Sequence, residues 1–223
     1  MNDWIEVTGM VLSAVPVLEN DKRVTLLTAE RGKITAFARG AKKPTSRLMA
    51  ATNPLCMGHF RVFPGKNAYT LTDAGISNYF EDLRSDFEGA MYGMYFADVA
   101  DYYCRENNDE KDVLNLLYVS VRALQKGLIP KRLVQYLFEM KMLVLQGEFP
   151  GVSTERELMD ATKRAISHCA TAPLENLYSF TLSDEAMEEL SGEAERYRRD
   201  FIGHHFKSLD ILNDALGGNE IFC

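Results

Sequence analysis

Long apolar runs are missing from this chain. No stretch approaches the ~18 apolar residues that a membrane span needs. The start, Met1-Asn2-Asp3-Trp4, has neither the basic nor the apolar segment of a secretory signal, so cytoplasmic residence and no membrane contact are expected. Cysteine is scarce: Cys56, Cys104, Cys169 and Cys223 are scattered, none forms Cys-x-x-Cys, and none stands at zinc-ribbon spacing from a histidine. A disulfide framework is therefore not expected, and Cys56 and Cys104 read as small, reduced core residues. His168 and Cys169 are neighbours, but on a helix they project about 100° apart and make no chelate.

Catalytic signatures are missing too. There is no Gly-x-x-x-x-Gly-Lys-Ser/Thr loop, no Gly-x-Gly-x-x-Gly, no His-Glu-x-x-His and no Gly-x-Ser-x-Gly. His204-His205 has no carboxylate or thiol at chelating spacing and reads as a solvated or partly buried pair. Glu139 is one carboxylate in an apolar helix, read as pairing with a lysine or lying at the helix rim rather than as half of a hydrolytic pair. Gly217-Gly218 reads as a helix stop. Neither an enzyme, nor a metal, nor a cofactor is expected.

What is present suits a soluble globular chain of one large or two small domains: 223 residues, 46% hydrophobic and 26% charged. The net charge of −7 hides a split. Residues 1–80 hold ten Lys/Arg and six Asp/Glu, a net of +4; the other fifteen bases and twenty-six acids give 81–223 a net of −11. Arg31, Lys33, Arg39, Lys42, Lys43 and Arg47 follow one another with no acid between them. Such asymmetry suggests a polyanion-binding module joined to something else.

The first eighty residues read as β. Ile5–Val17 is β-branched and apolar despite Gly9 and Pro16; Val24–Thr28 follows a polar turn at Glu19-Asn20-Asp21-Lys22. In Lys33–Ala38, Ile34 and Ala36 alternate with Thr35 and Phe37, and Leu55–Phe63 and Tyr69–Ala74 are separated by Pro64-Gly65-Lys66-Asn67. Five strands with a longer excursion after the third follow the plan of an OB-fold, although periodicity alone does not separate it from an SH3-like barrel. Beyond residue 80 the period turns helical. Asp86 or Ser85 caps a helix carrying Phe87 to Tyr102. A second helix runs through Val113 and Leu124 to Gly127, and a third from Pro130 to Gly147. Thr154-x-x-Glu157 resembles a capping box for a fourth, and Ser183-Asp184-Glu185 opens a final helix reaching Leu212. The expectation is an α+β chain: an OB-fold over residues 1–80, then an all-α domain over 81–223.

The basic stretch carries the strongest functional signal. Single-stranded nucleic acid is gripped by cations along its phosphates and aromatics beneath its bases. Arg31, Lys33, Arg39, Lys42, Lys43, Arg47, Arg61 and Lys66 supply charge, and Phe37 heads the aromatics, with Phe60, Phe63 and Tyr69 nearby. Each aromatic taken alone fits barrel core at least as well.

Thr25-Leu26-Leu27-Thr28-Ala29-Glu30-Arg31-Gly32-Lys33, then Ala38-Arg39-Gly40-Ala41-Lys42-Lys43-Pro44-x-Ser46-Arg47, resembles the N-terminal signature of the bacterial recombination-mediator family RecO. Phe138–Leu143 before Gly147-Glu148-Phe149-Pro150, Leu177–Ser183, and Phe206-Lys207-Ser208-Leu209 resemble later parts of the same family. The resemblance implies an N-terminal OB-fold, a helical C-terminal domain and a non-enzymatic role in recombinational repair, in the cytoplasm at the nucleoid. It implies binding of single- and double-stranded DNA, annealing of complementary strands, and action with RecR, and in some bacteria RecF. Together these help load RecA onto DNA coated by single-strand binding protein, whose acidic C-terminal tail the helical domain can bind. Lys131, Arg132 and Tyr136, at the start of the third helix beside Leu133 and Leu137, are the expected tail site: cations for a carboxylate next to an apolar slot. One departure is evident. Many members carry two Cys-x-x-Cys pairs in a zinc-binding insert; here Pro150 runs through Gly151-Val152-Ser153-Thr154 with neither pair. The competing class is an OB-fold adaptor whose basic loop faces an acidic protein partner rather than DNA, and an undetected nuclease or hydrolase ranks third.

Overall fold

The computed structural model describes residues 4–217 except 155. Two compact units make it up: Asn115–Lys207, and the residues up to Leu114 together with those from Ser208 onward. The boundary falls inside a helix, so three helices that sequence segmentation groups with the helical domain share the barrel's unit.

In the first unit, β1 (Ile5–Val17), β2 (Asp21–Thr28), β3 (Gly32–Ala38), β4 (Met57–Phe63) and β5 (Tyr69–Asn78) close a barrel in the order β1-β2-β3-β5-β4. Only the β3–β5 pair is parallel, as an OB-fold requires. A short α1 (Leu48–Ala51) fills the excursion between β3 and β4, and its Leu48 joins the barrel core. Period-2 alternation decides what points inward. Ile34, Ala36 and Ala38 are buried with Val7, Val24, Leu26, Phe60 and Val62, whereas Phe37 between them points out. β1 serves two partners, β4 through Ile5–Met10 and β2 through Gly9–Val17, with a bulge between Val11 and Ser13. Gly9 is the crossing point: a Cβ there would stand 2.3 Å from the Leu27 carbonyl oxygen, so the interruption seen in sequence is a close approach of backbones.

The same unit holds α2 (Glu81–Ser85), α3 (Phe87–Tyr103) and most of α8 (Lys207–Gly217). Asp86 caps α3 by accepting the Gly89 amide at 3.1 Å. The segment after α3 is stitched onto the β2–β3 turn: the Lys33 amide donates to Arg105 O at 3.0 Å and the Asn107 amide to Arg31 O at 2.9 Å.

The second unit is helical, comprising most of α4 (Lys111–Lys126), then α5 (Lys131–Gln146), α6 (Asp160–Thr171) and α7 (Asp184–Tyr197). α5 is its centre, buried without a break from Leu133 to Leu143. That stretch includes Gln135, Glu139 and Lys141, so each must find partners. Lys141 Nζ donates to the carbonyls of Cys169 at 3.1 Å and Ala172 at 2.9 Å, neutralising the bare C-terminal end of α6. Glu139 pairs with Arg198 rather than with a lysine, and is buried, not at a rim.

Two helix boundaries correct the sequence reading. Thr154 and Glu157 form no capping box; α6 starts at Asp160, and the Met159 amide is satisfied by the Glu189 carboxylate of α7 at 2.9 Å. A cap supplied from another helix leaves no local signature. The final helix is not continuous either: α7 passes into a π-helical turn at Arg198–Ile202, Gly203 ends it, and α8 starts afresh. Cys56, Cys104 and Cys169 are free and buried, while Cys223 and Gly218 lie outside the described residues.

Candidate nucleic-acid interface

Strand register brings outward-facing residues into a row across the barrel. Val15 pairs with Arg23, Arg23 with Phe37, Phe37 with Thr70, and Thr70 with Phe63. Partners in register share a face, so Phe37, 41% exposed, stands between Arg23 and Thr70 on the barrel's outer surface. Arg23 is a cation that sequence reading passed over, because only pairing of β2 with β3 sets it beside Phe37.

Next to this row lies an open groove of about 590 Å³. Arg39 reaches it from the end of β3, Arg47 from the turn before α1, and Arg61 from β4, with Trp4 and Phe63 on its lining. Three guanidinium-bearing residues from three separate segments thus face one opening. Asp73 is an acid on that lining, and its carboxylate stands 3.9 Å from Arg61 Nη1. The Arg61 guanidinium lies 4.3 Å from the Trp4 ring centre, within cation–π range. The basic loop beside the groove is held by backbone contacts, leaving its side chains outward. Asp21 Oδ1 accepts the Gly40 amide at 2.7 Å and Asn20 O accepts the Lys42 amide at 2.9 Å, while Lys42 and Lys43 are exposed.

The acid-free run from Arg31 to Arg47 is not one patch. Seven residues of β3 at about 3.3 Å each separate its ends by roughly 20 Å. Arg31 and Lys33 sit at the far end from Arg39 and Arg47. Lys33 is engaged there: its Nζ stands 3.2 Å from Asp101 Oδ1 of α3. Tyr69 is engaged too; burial and then the Glu106 carboxylate that it hydrogen-bonds push its hydroxyl pKa up. Lys66 is exposed in the β4–β5 turn, and Phe60 is core. Lys22, not a predicted contact, donates to Thr52 Oγ1 at 3.0 Å, and burial pulls its pKa down.

In the helical unit the expected tail site beside Lys131 and Arg132 is filled. Leu133 and Leu137 are fully buried, and Tyr136 turns inward with its hydroxyl 2.8 Å from Ser191 Oγ. Tyr136 is thus a packing residue, and Arg132 is left on an exposed surface without the apolar slot. Basic and apolar features do meet elsewhere. A cavity of about 360 Å³ runs along α4 past Tyr118, Arg122 and Lys126 to Leu128, Ile129 and Leu174. Leu128 is 80% exposed at its margin, and Arg122 Nη1 donates to the Tyr118 hydroxyl at 3.2 Å. Sequence reading missed it because Leu128 and Ile129 follow the helix stop at Gly127 and read as connection.

Residues 1–80 match the family described as Recombination protein O N terminal, and residues 84–156 match Recombination protein O C terminal. The chain belongs to the RecO family. The DNA repair protein RecO of Acetivibrio thermocellus is 25% identical over 243 residues, covering 94% of this chain and 96% of that protein. The one from Clostridium acetobutylicum is 24% identical over 239 residues, covering 92% and 95%. The one from Clostridium perfringens is 32% identical over 143 residues, 64% of this chain and 58% of that protein. Membership ties the chain to DNA repair, and the five-stranded barrel is the OB-fold expected of a RecO N-terminal domain. The RecO segment after α5, where the zinc insert of many members is missing, is compact here: the Tyr197 hydroxyl donates to Gly151 O at 2.8 Å, and the Phe149 and Tyr197 rings stand edge to face, 5.7 Å apart.

Proposed function

We propose that this RecO-family protein is a non-enzymatic recombination mediator. It binds single- and double-stranded DNA through its barrel, anneals complementary strands, and acts with RecR, and where required RecF, to help load RecA onto DNA coated by single-strand binding protein. The observation that carries the reading is the groove on which Arg39, Arg47 and Arg61 converge, with Lys42 and Lys43 exposed alongside. Phosphate binding by such cations releases counterions, so affinity must fall with salt. Replacing Arg39, Arg47 and Arg61 together by Ala is expected to weaken single-strand binding whatever the base sequence. The log–log salt slope should fall by about 2, at ~0.7 per lost phosphate contact. A salt titration by fluorescence anisotropy, with an acidic peptide as control, checks it. An unchanged slope moves the site elsewhere, and tighter binding of the acidic peptide than of DNA favours an adaptor.

The tail of single-strand binding protein is assigned to the α4 cavity rather than to Lys131 and Arg132. What supports this is chemistry: Arg122 and Lys126 for carboxylates, Leu128, Ile129 and Leu174 for apolar side chains. Arg122→Glu with Lys126→Glu is expected to abolish tail-peptide binding while DNA binding by the barrel persists. Arg132→Glu serves as the control and is expected to bind the peptide like wild type; the reverse pattern restores the original assignment.

A further inference from the structure

The groove contains the chain's single tryptophan, and its setting suggests a role beyond phosphate binding. Trp4 precedes β1 and is 39% exposed, so it is not core filler. The Arg61 guanidinium lies 4.3 Å from its ring centre. That guanidinium is not spent on Asp73, which at 3.9 Å is beyond hydrogen-bond reach, and its Nε has no hydrogen-bond partner among the described residues. Phe63 is two residues further along β4, on the same strand face as Arg61, and lines the same groove.

A planar aromatic, a planar cation and a second aromatic in one opening, with Arg39 and Arg47 beside them, match one ligand chemistry: a nucleobase with its flanking phosphates. Bases stack on aromatic rings and on guanidinium planes. A duplex offers no free base face along its length, because each base is already stacked and paired. The geometry points to an unpaired-nucleotide clamp, in which Trp4, Arg61 and Phe63 stack a base and Arg39 and Arg47 hold the adjoining phosphates, so that this groove takes single strands and duplex relies on the exposed cations of the loop. The inference rests on the DNA-binding reading above and deepens it by naming the strand state that the groove selects.

The full chain tests it, because Trp4 is its own reporter. Titration with an oligothymidylate is expected to quench the indole emission, and titration with a duplex of equal length is not. Trp4→Ala is expected to weaken oligothymidylate binding roughly 5- to 100-fold, the effect of losing one base–aromatic stack, and to leave duplex binding unchanged. Trp4→Phe keeps a stacking face and should retain most of the affinity, which separates stacking from misfolding. If wild type binds the oligonucleotide with unchanged emission, and both variants bind as tightly, the clamp is overturned while DNA binding stands. If wild type binds neither DNA, both readings fall.

Discussion

Replacing Arg198 by Ala is expected to destabilise the helical unit by about 3–5 kcal/mol. Arg198 Nη1 donates to both carboxylate oxygens of Glu139, at 3.0 and 2.9 Å, and Gln135 Nε2 adds a third bond at 2.9 Å. The Glu139 side chain is only 2% exposed, so losing the arginine strands a carboxylate in the interior of α5. The cost of that burial, rather than the worth of the pair, sets the magnitude. The double change Glu139→Gln with Arg198→Met removes both charges and should recover much of the loss, since a buried ion pair gains little over a neutral replacement of similar shape. Urea denaturation followed by circular dichroism separates the cases; tryptophan emission does not, because Trp4 lies in the other unit. A loss below about 1 kcal/mol in the single variant would show that water or another group takes over the carboxylate. The arginine follows α7 directly, at the start of the π-helical turn, and such turns recur where a side chain must be redirected.

Gly32→Ala is expected to be the most damaging single-methyl change in the barrel's unit, at about 2–5 kcal/mol. Gly32 has φ +63°, and a Cβ there would stand 2.3 Å from Arg105 O and 2.9 Å from Asn108 O, both fixed backbone atoms. The neighbourhood has little freedom to yield. Thr28 Oγ1 donates to Gly32 O at 2.8 Å and accepts the Arg31 amide at 3.1 Å, and the Lys33–Arg105 and Asn107–Arg31 backbone bonds close the seam. Gly127→Ala is the matched control: φ is +60°, but nothing lies within 4 Å, so only the left-handed backbone is penalised, by about 1–2 kcal/mol. Denaturation of both variants measures the difference, which is the clash itself. Equal losses would mean that the segment after α3 lifts off the β2–β3 turn at no cost.

The sequence by itself determined the barrel, the helical succession and the inward or outward sense of individual side chains. Period-2 alternation in β3 separates Ile34 and Ala36 from Phe37 with no tertiary information, because a strand has only two faces. The same holds for Asp86, whose cap is local to the helix it starts. Tertiary structure alone decided which charges act together. The six bases from Arg31 to Arg47 are consecutive in charge, but extended chain carries Arg31 and Lys33 to the opposite end of β3, where α3 claims Lys33. Arg61 and Trp4, far from that run in sequence, join Arg39 and Arg47 because β1 pairs with β4 and β4 with β5. Tyr136 misled for a related reason. A helix bearing Lys131, Arg132, Gln135, Glu139 and Lys141 reads as having a wet face, yet Arg198 and the end of α6 satisfy the inner polar groups and let neighbouring helices cover α5. Side-chain parity is set by the backbone a residue sits in, and so can be read along the chain. The company a charge keeps is set by strands and helices that meet only after folding.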